Sequence, residues 1–196
     1  DEKDFPFETA RSLLQQRMDN ASGPFRQEFQ LALLVKAQVE GAINEAAGLR
    51  QQILDEARGD RASTERRLSE AAVRTTQAVT RLALQQLENG ETIDSLLTHW
   101  APRLPSDQDP AALRDALLVD RARLLLERAR TQLAAKDYDA VHVETLGALS
   151  GLRPDGPYVH AAFSVLAETW MAEQNGARAQ EVLQDLESRW SAKQYY

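Results

Sequence analysis

Val35, Val39, Ala42, Ala46, Leu49 and Ile53 follow one another at alternating steps of four and three residues. That spacing lines apolar groups along one stripe of an α-helix. It returns at Leu68, Ala72, Thr75, Val79 and Leu82, and Phe163, Leu166, Ala167 and Trp170, at i, i+3, i+4 and i+7, likewise share one stripe. Valine and isoleucine are otherwise scattered singly, and no run alternates apolar with polar residues as a half-buried strand does. Alanine, leucine, glutamine, glutamate and arginine dominate, with only 7 Pro and 9 Gly to interrupt them. These features predict an all-α chain of antiparallel helical hairpins.

The interruptions place the elements. Phe5-Pro6-Phe7 reads as an apolar clamp ahead of a helix bearing Ala10, Leu13, Leu14 and Met18, which a turn over residues 19–24 ends. One long helix is expected from Phe25 to about Arg58, where Gly41 and Gly48 signal close crossing by a neighbour. Gly59 then supplies a stop and Asp60 a start. A second long helix, about Arg61 to Glu88, is expected to fold back on the first and to end at Asn89-Gly90. Thr92 then caps a short helix carrying Ile93, Leu96, Leu97 and Trp100. Three prolines, Pro102, Pro105 and Pro110, mark the clearest break, between an N-terminal part, 1–101, and a C-terminal part, 109–196, which are read as two domains or as parts of one continuous domain. Asp109-Pro110 opens a helix that buries Leu113, Leu117, Leu124 and Leu125, with Arg121, Arg123, Arg128 and Arg130 outward.

The last 70 or so residues carry a family resemblance. Phe163-x2-Leu166-Ala167-x2-Trp170, the break at Asn175-Gly176, and Ala179-x3-Leu183-x2-Leu186 resemble one tetratricopeptide (TPR) repeat. Val182, Leu183 and Leu186 form the stripe of its second helix. Lys136-Asp137-Tyr138-Asp139 resembles the turn inside another unit, in which Leu125, Ala129, Val141, Ala148 and Pro154 match the pattern while Arg128, Gln132 and Thr145 depart from it. The two units are offset by 38 residues, against a usual ~34, and the loop Arg153–Pro157 accommodates the excess. The resemblance implies an irregular α-solenoid end packed on the long N-terminal hairpin, with Phe163 and Trp170 as packing residues between repeat helices.

Several chemistries are excluded or unsupported. A net charge of −7 with no basic block opposes general nucleic-acid binding. With no cysteine there is no disulfide, thiolate zinc site or cysteine nucleophile. His99, His142 and His160 form no metal pair at helical spacing; Asp139-x2-His142 is the nearest approach, and His142 is expected to be an exposed surface residue. His99 is expected to pack beside Trp100. Gly147 and Gly151 are read as close packing and helix termination. Neither a phosphate-cradling loop nor a Gly-x-Ser-x-Gly elbow is present, so no catalytic residue, cofactor or metal is expected. No apolar run reaches the ~20 residues of a membrane span, and Asp1-Glu2-Lys3-Asp4 fits the trimmed start of a mature or anchored protein rather than a signal peptide. Four lysines among 23 basic residues leave 19 arginines, which with the alanine content points to a GC-rich bacterial genome, the compartment being cytoplasm or periplasm.

Arg67, Arg74 and Arg81 recur every seven residues on the second long helix and, with Arg121 and Arg128, are the candidate partner-binding residues. Glu65 and Glu70 nearby also fit a solvated, salt-bridged face. The function expected is a non-catalytic interaction or assembly scaffold presenting helical surfaces to a partner protein. The alternative is a ligand-sensing or signal-relaying helical bundle, from a larger, membrane-anchored bacterial protein, whose Phe25 to Glu88 hairpin holds a small molecule. A third reading is homo-oligomerisation through the heptad seam.

Overall fold

A computed structural model of the chain describes residues 7–57 and 60–192. The chain is all-α: among the described residues there are nine α-helices and no strand. These are α1 (Phe7–Asn20), α2 (Gly23–Glu40), α3 (Ile43–Glu56), α4 (Arg61–Glu88), α5 (Ile93–Trp100), α6 (Pro110–Ala135), α7 (Tyr138–Leu149), α8 (Val159–Ala172) and α9 (Gly176–Ala192). None is long and apolar enough to cross a membrane, among the described residues. Phe5, Pro6, Arg58 and Gly59 lie outside the described residues.

The long helix expected from Phe25 to Arg58 is two helices. Gly41 sits at φ +82°, in the left-handed region, and its N–H donates to the Gln38 carbonyl while Ala42 N–H donates to the Ala37 carbonyl. This pair of bonds satisfies the carbonyls left over at the end of α2, and a glycine meets the backbone requirement without Cβ strain. Gly41 therefore ends a helix, and a neighbour also comes close to it, since a Cβ there would stand 3.3 Å from Arg103 Nε. Gly48, by contrast, has open space where a Cβ would stand, so the close approach expected there is not found. The heptad spacing continues across Gly41 because both helices turn their apolar sides to one core.

The chain divides into two compact units. The first comprises 1–83 and 94–110, the second 84–93 and 111–196, so α4 belongs to the first as far as Ala83 and to the second from Leu84. In the first unit, Leu31, Leu34 and Ala37 of α2, Ala46 and Ile53 of α3, and Leu68 and Ala71 of α4 form one core. Asp60 starts α4 as expected, its carboxylate accepting from Ser63 N–H at 3.3 Å. The proline-rich segment after α5 begins as a 3₁₀ turn, Ala101–Arg103. It is fastened down: Leu104 and Pro105 are buried, Arg103 donates to the Val39 carbonyl at 2.7 Å, and its guanidinium lies 4.8 Å from the Trp100 ring centroid. His99 meets the edge of Trp100 at 4.8 Å.

In the second unit, Ala122, Leu126 and Ala129 of α6, Val141 and Ala148 of α7, and Ala162 and Val165 of α8 form a core. Small residues dominate it, which lets the helix axes approach closely. Gly147 would put a Cβ 3.4 Å from Leu125 Cδ1, and Gly151, at φ +84°, would put one 3.0 Å from Leu118 Cδ2. Close packing and chain reversal are thus both present at this pair. On α6 Leu113 and Leu117 are buried as expected, but further along Ala122 and Leu126 are buried while Leu124 and Leu125 are half-buried. On α8 Phe163, Leu166 and Ala167 are buried and Trp170 is half-buried. On α9 Ala179 is buried, but Leu183, expected inside, is 47% exposed.

Candidate functional site

The first unit carries an open groove of about 700 Å³, a size that suits a small-molecule or peptide side-chain site. Buried Leu34, Ala46, Leu68 and Ala71 line it at depth. Residues 102 and 104–107 supply a further wall, held against α2 by the bond from Gln38 Nε2 to the Leu104 carbonyl, 3.4 Å. The charged groups of the lining are Arg50, Arg61, Glu65 and Asp107, all exposed. Arg61 and Glu65 close on each other at 3.0 Å.

The second unit has a different feature, on α7. Val141, Thr145 and Ala148 bury one side of this helix, yet the opposite side presents Val143, 72% exposed, and Leu146, 58% exposed. Residues three apart in a helix are neighbours, so these two form one patch. A helix apolar on both sides ordinarily has a neighbour on both. Beside it, His142 is half-buried rather than exposed: its Nε2 lies 2.8 Å from Glu173 Oε2, and its ring packs 4.2 Å from that of Trp170. Glu173 caps the end of α8, donating its N–H to the Thr169 carbonyl. This contact joins α7 to the turn between α8 and α9.

The five candidate arginines are distributed over both units. Arg67 is half-buried and committed within the first unit, donating to Gln27 Oε1 at 2.8 Å and lying 3.5 Å from Glu28. Arg74 and Arg81 are exposed on α4. Glu65 and Glu70 are taken by Arg61 and Arg66. Arg121 and Arg128 are exposed on α6 in the second unit. Arg123, expected outward, is instead half-buried among Asp120 at 2.7 Å, Glu127 at 3.0 Å and Glu88 at 2.9 Å. Its hydrogen bonds to Asp120, then Glu127, with a smaller contribution from Glu88, raise its pKa further above the ordinary guanidinium value. The arrangement anchors the end of α4 to α6 within the second unit.

No protein-family model, curated protein or solved structure matches this chain. The residues therefore carry the functional argument alone. Among the described residues no group of three or more histidine, aspartate or glutamate side chains is placed to hold a metal. The groove falls within the Phe25 to Glu88 stretch that the alternative reading gave to a small molecule, with residues 102 and 104–107 added, and the exposed side of α7 is what residue-by-residue reading missed. A signal for the second was present, since Val143 and Leu146 stand one turn apart on a segment whose other apolar residues already fill a stripe.

Proposed function

We propose that this chain is a non-catalytic interaction module, TPR-like in its second unit, that presents helical surfaces to a partner protein. The observation that carries the reading is the exposed apolar side of α7, Val143 and Leu146, opposite a side that is already fully packed. Leaving such a patch in water gains nothing for the isolated chain, and covering it is favourable by roughly 25 cal/mol per Å². The TPR likeness is supported by the positions that match its pattern: Ala129, Val141 and Ala148 are buried where helices of a repeat pack, and Asp137 caps α7 by accepting from Ala140 N–H at 3.3 Å. Arg121 and Arg128, two turns apart on α6, add charge that selects an acidic partner.

The test is a paired pull-down with the full chain and with Val143→Asp/Leu146→Asp. Both changes lie on exposed positions, so the variant is expected to keep its helical circular dichroism and melting temperature. A protein retained specifically by the parent and lost from the variant supports the reading. Identical sets retained by both overturn it.

A further inference from the structure

We propose that the groove of the first unit is a binding site for a small amphiphile with an apolar body and one anionic group, and that Arg50 receives the anion. This site does not depend on the reading of α7, which belongs to the other unit.

The buried lining of the groove, at Leu34, Ala46 and Leu68, is apolar apart from Thr75, whose hydroxyl donates to the Ala71 carbonyl, so an occupant gains by placing hydrocarbon there. The charges then decide which head group goes with that body. Arg61 is closed by Glu65. Arg50 has Ala46 and Ala47 one turn before it and Ile53 and Leu54 one turn after it, so no carboxylate on α3 stands within its helical reach. Three of those neighbours, Ala46, Ala47 and Leu54, line the groove with it. Arg50 is therefore a cation set in an apolar helical wall, where a carboxylate or phosphate bound to the ligand's tail meets a guanidinium fork next to low-dielectric surface. Asp107, the remaining charged lining residue, stands on the loop wall, exposed and away from α3 in sequence, and is the natural rival anchor for a cationic head group.

Isothermal titration of the full chain with three ten-carbon probes, decanoate and decylammonium below their micelle-forming concentrations and decanol below its solubility limit, separates these cases. Decanoate is expected to bind most tightly, roughly ten-fold more weakly to Arg50→Gln, and at least as tightly to Asp107→Asn. Ala72→Trp, which fills the groove from α4, is expected to abolish binding of every probe. Equal affinity for decanol and decanoate, preference for decylammonium, or decanoate binding unchanged in Arg50→Gln overturns the proposal. Arg50→Gln alters an exposed side chain, so a normal melting curve distinguishes loss of the anchor from loss of the fold.

Discussion

Nε2 of His142 stands 2.8 Å from Oε2 of Glu173, and the same imidazole lies against Trp170. One side chain of α7 thereby holds both the last turn of α8 and the residue that ends it. Replacing His142 by Ala is expected to destabilise the second unit by about 1–2 kcal/mol, through lost ring contact together with a lost hydrogen bond to a charged group. Combining it with Glu173→Gln in a double-mutant cycle by urea unfolding should return a coupling of about 0.5 kcal/mol or more. A coupling of zero shows that the pair is only a proximity.

Thr145 is fully buried, and its Oγ1 has no hydrogen-bond partner among the described residues. Desolvating a hydroxyl without a partner costs stability, so Thr145→Val, which keeps the shape and removes the oxygen, should stabilise the chain by about 1 kcal/mol. Thermal unfolding decides this by the sign of the shift in melting temperature.

Two glycines should respond in opposite directions to the same substitution. Gly41→Ala is expected to cost about 1 kcal/mol or more, because an L-residue is strained at φ +82° and the new Cβ would stand 3.3 Å from Arg103 Nε. Gly48→Ala adds a methyl group to open space inside α3 and should gain up to about 1 kcal/mol. Chemical denaturation of both variants reads the two signs directly.

Glu56 is held below the ordinary carboxylate value of 4.5, chiefly by the hydrogen bond from Gln52, then by that from Gln30, with Arg26 adding a favourable charge. A group whose folded pKa is depressed adds stability above its unfolded pKa and loses it as pH falls through the folded one. Stability of the parent should therefore decline below about pH 4.5 more steeply than that of Glu56→Gln, with the two curves converging at lower pH. Because Glu56 is substantially exposed, the difference is expected to be modest and to shrink with added salt. Parallel curves across this range contradict the assignment.

Helix identity was legible because it depends on nearest-neighbour spacing and on local stops. The ends at Asn89-Gly90 and Asp109-Pro110, and the reversal at Asn175-Gly176, coincide with boundaries in the structure. Where the reading failed, two local interpretations were equally open. A glycine within a heptad seam signals a close approach or a terminator, and at Gly41 the hydrogen bonds of residues 41 and 42 add the terminator to the approach of Arg103. Arg123 looked like its outward neighbours because nothing local reveals that Glu88, 35 residues away, comes to meet it.

The candidate site was less legible than the fold. The sequence by itself determined that the chain is helical, where most helices start and stop, and which apolar residues share a stripe, because those properties arise from interactions within a few residues. Only the tertiary structure decided that α2, α3, α4 and the segment after α5 enclose a groove, that His142 closes on Glu173, and that Val143 and Leu146 are left on the outside of an otherwise packed helix. Each of these depends on which faces of distant helices meet, and a helical stripe records that a face is apolar without recording what, if anything, covers it.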